Sequence, residues 1–460
     1  MNVAKILCES VHQTKYDNFS SEEIKRAKYR LIDAFGVIAC GMKGSGNDMA
    51  MNILRQWSGR AEATVFNYGD RLPAHHAAMM NSMMMRSQDY EAVQAQGIDS
   101  FSAPAHVSGS TIPVALSVAE WKRRSGKEML TALLLGDDLA CRLATAGDSS
   151  PFNNPWDNTG TVNGLGAVVT AGCLLGLTSE QMQSALGIAV NQLSGSIGSL
   201  YNSAMAFKLP MALAAKNAIF SAELAEQGFT AMEDAICGKG GYFELFCDSY
   251  SIMDLMHEFG KTHYADIVIK PHAACRATHP SIDAAIKIKE KYNLNPDEID
   301  LIVVHERESI VKSFVGGEFY IGKAPEINGK FNLHFTVATG LIYGSVRPEH
   351  FTAEMMNRPI LHALISKTQL VGDRNPKAGE PSATIEVFMK NGDRYEASMR
   401  NAARGEIFSN PLTETEIIEK YYHNISFGSK AFRENAEKGL DFIMEIEKKQ
   451  DILPLITLFS

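Results

Sequence analysis

A mainly helical protein with a smaller α+β part is the fold class this sequence predicts, and three observations carry it. Over roughly the first 265 residues, apolar side chains recur at helical spacing behind recognisable helix starts. Near Asp266 the character changes to short β-branched runs and an Asn-Gly turn. The length, 460 residues with 45% hydrophobic content, suffices to bury a large core and favours two domains over one.

Taken in order, Ser20 and Glu23 form a capping box ahead of Ile24, Ala27, Leu31, Ala34, Phe35 and Ile38, which share one helical face. Gly164, Gly166, Ala167, Ala171 and Gly172 are small enough to let neighbouring helices approach closely, predicting a dense bundle. Thr178 and Gln181 repeat the capping device before Met182, Leu186, Ala189 and Leu193. Asp266 to Lys270 reads as a strand stopped by Pro271, Pro280 to Tyr292 as a helix, and Ile299 to His305 as a buried strand. Phe335 to Tyr343 and Met355 to Ile365 read as helices. Thr384 to Met389 alternates into Asn391-Gly392 and continues as Arg394 to Met399, a hairpin pattern. After Pro411, Thr413 and Glu416 start a last capped helix, expected to pack back on the first part. The expected organisation is therefore a helical domain of residues 1–265 and 405–460, with an α+β domain of residues 266–404 inserted in it.

A formal net charge of -9 with no dense basic stripe argues against a nucleic-acid partner. The N-terminus carries no apolar signal region and no window is apolar enough to span a bilayer, so a cytoplasmic protein without a membrane partner is expected. The seven cysteines (Cys8, Cys40, Cys141, Cys173, Cys237, Cys247 and Cys275) are scattered and odd in number, which fits reduced thiols. No phosphate-binding loop or nucleophile elbow is present, and the glycine clusters at Gly44-Ser45-Gly46 and Gly238 to Gly241 do not follow a clear strand. His272, Cys275 and His279 have ligand-like spacing but lack a fourth ligand nearby, so no metal site is expected. His75-His76 reads as a helix cap or surface pair.

Several segments together carry a resemblance. RLIDAFGVIACGMKG (Arg30 to Gly44), ATVFNYGDRLPAHHAAMMNSMMMRSQDYE (Ala63 to Glu91), HVSGSTIPVALSVAE (His106 to Glu120), GLGAVVTAGCLLGLTSEQMQSALGIA (Gly164 to Ala189), KPHAACRATHPSIDA (Lys270 to Ala284) and KFNLHFTVATGLIYG (Lys330 to Gly344) occur in order. In this the chain resembles the MmgE/PrpD family, which includes 2-methylcitrate dehydratase, cis-aconitate decarboxylase and iminodisuccinate epimerase. The resemblance implies a helical domain built from both chain ends, an α+β lid domain, a homodimer, and a site in the cleft between the domains that uses no metal and no organic cofactor.

Removing a proton beside a carboxylate needs a positioned base and cations that offset the charge building on an enolate-like state. The resemblance places four catalytic candidates. Asp89 falls at the D-[FY]-D-D element, as base or partner of one, against an ordinary helix cap. His106, at the H-P-[ST] histidine, suits general acid–base work because its unperturbed pKa is near neutral. Lys270 and His279 match a lysine and a histidine of one segment. Substrate-binding candidates are Lys208, whose charge suits a substrate carboxylate; Cys275, expected to shape the pocket; His272; Tyr320; and Asp157 with Thr159 in the segment resembling G-x-H-x-T. Three departures stand out. Glu91-Ala92 replaces the D-D pair, the loop from Asp89 to His106 is long, and Asp157 replaces a histidine with an acid. The implied function is a cofactor-independent lyase, of dehydratase or decarboxylase type, on a small di- or tricarboxylate. An epimerase of an iminodisuccinate-like dicarboxylate shares the first step, and a non-catalytic carboxylate-binding member is the third reading.

Overall fold

Helix starts follow the capping pattern read from the sequence. In the computed structural model, which describes residues 2–57, 59–148, 150, 152, 154–292, 294–374, 382–399 and 403–460, the Ser20 hydroxyl accepts from the Glu23 backbone N–H while the Glu23 carboxylate accepts from the Ser20 N–H, opening the helix Ser21–Gly41. The same reciprocal pair opens Ser179–Val190 at Thr178 and Gln181, and Glu414–Ile425 at Thr413 and Glu416. Ser125 and Glu128 add a further box, not anticipated from the sequence, ahead of Gly126–Ala146.

Small residues set the packing of the helical part. A Cβ on Gly166 would lie 2.6 Å from the Cβ of Ala140 and 2.5 Å from the Gly136 carbonyl oxygen, so the helices Gly126–Ala146 and Val162–Leu175 touch backbone to backbone. A Cβ on Gly164 would likewise meet Leu193 at 2.9 Å. Ser108–Lys122 and Leu209–Glu226 pack on this pair, and Ala74–Arg86 packs on those two helices in turn. The late helix Glu414–Ile425 returns to the first part and lies along Ser21–Gly41, where Gly36 faces Asn424.

Nine strands are present among the described residues, and β1 (Ala63–Val65) pairs with β2 (Asp70–Leu72) as a short hairpin. β3 (Val93–Gln96), β4 (Ser102–Ala103) and β5 (Asp266–Val268) form a sheet of order β4-β3-β5. β5 is thus the strand expected at Asp266 to Lys270, shortened, and it pairs antiparallel with an early segment: Val93 opposite Val268, Ala95 opposite Asp266. β6 (Ile299–Arg307), β7 (Thr368–Arg374), β8 (Ala383–Met389) and β9 (Arg394–Met399) form a second sheet of order β7-β6-β8-β9. β8 and β9 are the expected hairpin, with Gly392 at φ 92° in its turn. β7, parallel to β6, carries no alternation that marked it as a strand. The helix expected over Met355 to Ile365 is two, Ala353–Met356 and Pro359–Ser366. Pro359 has no N–H to continue a helix, and the residue before it, Arg358, is extended.

No helix among the described residues is long and apolar enough to cross a membrane. The β3–β5 pairing matters most for the site, because it brings the residues after β5 against those just before β3. The Asp266 carboxylate also accepts from the Ser108 backbone N–H at 2.7 Å, tying β5 to the start of the helix that follows His106.

Candidate active site

The Ala74–Arg86 helix delivers a single guanidinium, Arg86, at the end of a methionine-rich buried run. The chain then leaves the helix through Asp89, whose backbone is left-handed at φ 46°, an uncommon state for a residue with a Cβ. This turn aims two carboxylates back at the guanidinium. Arg86 pairs with Asp89, and its Nη1 lies 2.9 Å from Glu91 Oε1. The rings of Phe207 and Phe331 face the same guanidinium at 5.3 and 5.9 Å. From the other side Lys270 donates to the Asp89 backbone oxygen at 2.7 Å and lies 3.1 Å from its carboxylate.

His106 completes the cluster, with Nδ1 2.8 Å from Glu91 Oε1. Its backbone oxygen accepts from the Asn163 amide at 2.7 Å, which fixes the main chain. The His106 side chain is 16% exposed, whereas those of Arg86, Asp89, Glu91 and Lys270 are 3% or less, so the imidazole is the face this cluster shows to solvent. With Nδ1 held by a carboxylate, Nε2 is the nitrogen free to exchange a proton, and among the described residues it has no hydrogen-bond partner.

Burial alone would raise the Glu91 carboxyl, but Arg86, then His106 and Lys270, outweigh it and hold the group far below the usual carboxylate range. Burial likewise opposes charge on Arg86, and Asp89, Glu91 and Asp157 more than restore it. Glu91 is therefore a permanent anion beside His106. Asp89, Glu91 and His106 each offer a ligand atom within 4.8 Å of the others. The space between the two carboxylates is nevertheless held by Arg86, with Lys270 on Asp89, so a metal ion there would be set against two cations.

Lys208 lies beside this cluster, donating to Ser45 O at 2.7 Å, Asn47 Oδ1 at 2.6 Å and Ser87 Oγ at 3.2 Å. Lys330 donates to Ser87 O at 3.2 Å. Burial, and then the neighbouring Lys330, lowers Lys208 to about 7; burial lowers Lys330 to about 8. Both values lie below those of the unfolded chain, so from pH 7 upward the unfolded state holds protons that the folded state has released. Stability is then expected to rise with pH from about 7 to about 8.5, above which unfolded thiols begin to ionise. Each lysine contributes at most about 1.4 kcal/mol per pH unit. Urea unfolding at pH 7.0, 7.5, 8.0 and 8.5 checks this, with the rise flattened in Lys208→Met; an unchanged slope in that variant counts against it.

The other expected residues are placed as follows. Cys275 is buried near the cluster, and its thiol is pushed up to about 12 by burial and then by Asp89, so it is not a thiolate near neutral pH. His279 donates from Nε2 to Ala274 O at 3.1 Å and accepts at Nδ1 from Arg276 at 3.2 Å, and burial keeps it neutral. His272 pairs with Asp283 at 2.8 Å, its ring 5.0 Å from that of His279. Neither histidine bonds to the His106–Glu91 pair, and His272, Cys275 and His279 do not converge as a ligand group among the described residues. Asp157 uses its carboxylate locally, accepting from the Thr159 backbone N–H at 3.0 Å and hydroxyl at 2.7 Å. Tyr320 is 46% exposed, and its hydroxyl donates to Asn202 O at 3.4 Å. His75 and His76 meet edge to face at the opposite end of the Ala74–Arg86 helix.

Glu91, read from the sequence as a departure, is the carboxylate that holds His106. Arg86 was missed, although a lone arginine closing the run AAMMNSMMMR was its signal. Lys330 opens the segment KFNLHFTVATGLIYG without being singled out in it, and Lys420 had no local signal. A cavity of about 780 Å³, lined among others by Tyr90, His272, Asp283, Arg347 and Lys420, lies at the side of the 89–91 segment that Tyr90 faces. The acid–base pair is not part of its lining.

Residues 5–253 match the MmgE/PrpD N-terminal domain and residues 272–441 the MmgE/PrpD C-terminal domain. Among curated proteins, the chain is similar to the cis-aconitate decarboxylase-like protein oryM of Aspergillus oryzae, 26% identical over 489 residues, covering 100% of this chain and 97% of the relative. It is similar to the cis-aconitate decarboxylase of Mus musculus at 24% identity, covering 100% and 93%, and to that of Homo sapiens at 24%, covering 100% and 95%. With both domains matched in order around a site assembled from the first of them and the segment joining the two, the chain belongs to the MmgE/PrpD family.

Proposed function

We propose that this chain is a lyase, of decarboxylase or dehydratase type, acting on a small di- or tricarboxylate through proton transfer at the carbon beside a carboxylate. The observation that carries the reading is the His106–Glu91 pair, an accessible imidazole whose inner nitrogen is held by a buried anion. The proton on the substrate carbon passes to Nε2 of His106, and Glu91 stabilises the imidazolium that forms. The electron pair left on carbon spreads into the adjoining carboxylate, where Lys270, Arg86 and the field of Lys208 offset the charge. Lys270 and Arg86 are buried behind Asp89 and Glu91, so they act on the substrate charge through their field. In a dehydratase the β-hydroxyl then leaves as water, taking the proton back from His106. In a decarboxylase no C–H proton is removed first: the carbon–carbon bond breaks as carbon dioxide departs, its electron pair passes into the adjoining unsaturated acid, and the carbon left electron-rich takes a proton from His106, which solvent has protonated beforehand. Side chains supply both the acid–base group and the counter-charge in either case, with no organic cofactor. The names of the curated relatives favour the decarboxylase.

Proton NMR in deuterium oxide with cis-aconitate, citrate, 2-methylcitrate and iminodisuccinate, in the presence of a chelator, tests the reading. New alkene signals with loss of a carboxylate or of water are expected. Deuterium uptake with inversion and no bond cleavage would replace the lyase by an epimerase, and a folded protein inert across the panel would overturn the proposal.

A further inference from the structure

The segment that carries Asp89 and Glu91 is held by lysines through its backbone. A helix end leaves carbonyls without partners, and the usual remedy is a glycine just past the last turn. Ala74–Arg86 ends instead in Ser87, Gln88 and a left-handed Asp89, all buried. Three carbonyls of this stretch accept from three ammonium groups. Ser87 O accepts from Lys330 at 3.2 Å, Asp89 O from Lys270 at 2.7 Å, and Tyr90 O from Lys420 at 2.9 Å. The Gln88 side-chain amide reaches Cys40 O at 3.0 Å, and Lys208 reaches the Ser87 hydroxyl.

Each lysine comes from a different part of the chain. Lys330 closes the helix Pro325–Lys330, Lys270 follows β5, and Lys420 lies on Glu414–Ile425. Lys420 is answered by Asp33 at 2.5 Å and lies over the Tyr90 ring at 3.8 Å. Lys330 is fully buried with no carboxylate within ion-pair distance among the described residues, and faces the Phe351 ring at 5.3 Å. A neutral amide would satisfy a carbonyl without the desolvation cost of an ammonium. The extra element an ammonium brings is a long-armed positive charge beside a segment that turns two carboxylates inward.

We propose that Lys330 and Lys420 are positioning residues of the active site, which set the Ser87-to-Glu91 backbone so that Glu91 stands against His106. The inference rests on reading His106 and Glu91 as the reacting pair. It makes assembly of that pair contingent on docking of the Pro325–Lys330 and Glu414–Ile425 helices. Small displacements of such a pair are costly to catalysis, because proton transfer depends on sub-ångström placement.

The test uses the full chain with Lys330→Met and Lys420→Met, and Lys438→Met on the exposed surface as control. His106 is followed by the NMR chemical shift of carbon-13-labelled histidine at fixed pH, assigned through its loss in His106→Ala, and folding by circular dichroism. The charged groups facing the imidazole are Glu91, Arg86, Asp89, Lys270 and Asp266. If Glu91 drifts away, the imidazole loses its nearest anion. Its carbon-13 chemical shift at fixed pH is then expected to move in both variants and to stay unchanged in the control. Folded variants in which the His106 resonance stands where it does in the wild type overturn the proposal. Should the methionine variants not fold, Lys330→Gln and Lys420→Gln, which keep an N–H donor, are measured in the same way. Failure of these to fold makes the lysines structural and also overturns it. A shifted His106 in a chain whose wild type converts no acid of the panel leaves the positioning intact and removes the lyase reading. Wild-type turnover with an unshifted His106 in the variants does the reverse.

Discussion

His106→Ala is expected to lower turnover of the acid identified in the NMR panel by about 10²- to 10⁴-fold, the usual worth of a positioned acid–base group. The imidazole is the exposed member of an otherwise buried cluster, and its Nδ1 is engaged by Glu91. Its contribution arises in the transition state, so kcat is expected to fall with KM within about threefold. Glu91→Gln retains the shape while removing the anion that stabilises the imidazolium, and a loss of the same order is expected. Steady-state kinetics on variants with unaltered circular dichroism make the check. Turnover within about threefold of the wild type in His106→Ala would take the imidazole out of the mechanism.

Arg86→Met carries the largest expected effect on stability. The guanidinium is 3% exposed and answers two carboxylates that are 1% and 0% exposed. Removing it leaves buried anions without their main counter-charge, a change that costs about 3–5 kcal/mol. The methionine side chain fits against Phe207 and Phe331, so the loss is electrostatic rather than a cavity. Urea unfolding measures it, and the double variant Arg86→Met with Glu91→Gln is expected to lose less than the sum of the two single variants, because one unpaired charge has gone. A loss under about 1 kcal/mol, or strict additivity, would show that Lys270 alone holds the two carboxylates.

Much of the architecture is local and was therefore legible in the residues. A capping box joins groups three residues apart, so Ser20 with Glu23, Thr178 with Gln181 and Thr413 with Glu416 announce their helices whatever surrounds them. The Asn391-Gly392 turn states its hairpin in the same way, and the glycines of Val162–Leu175 state a close helix contact. What the residues did not carry was pairing across distance. β3 alternates over only four residues, Val93 to Gln96, and β7 shows no alternation; both become strands because β5 and β6 supply partners. Pro359 divided a helix that apolar periodicity had joined.

The site divides along the same line. Residue type and family resemblance singled out Asp89, His106 and Lys270, and the structure sets these three around one cluster. It leaves His279 in hydrogen bonds to Ala274 and Arg276, and Tyr320 at the surface. Asp157, an acid where a histidine was expected, spends its carboxylate on Thr159. Lys330 and Lys420 meet Ser87 and Tyr90 from 243 and 330 residues along the chain. Hydrogen bonds between near neighbours follow from the order of the residues alone. By contrast, which buried charge faces which carbonyl is decided only when burial of the whole apolar core has brought distant segments together, because no single contact is strong enough to do so.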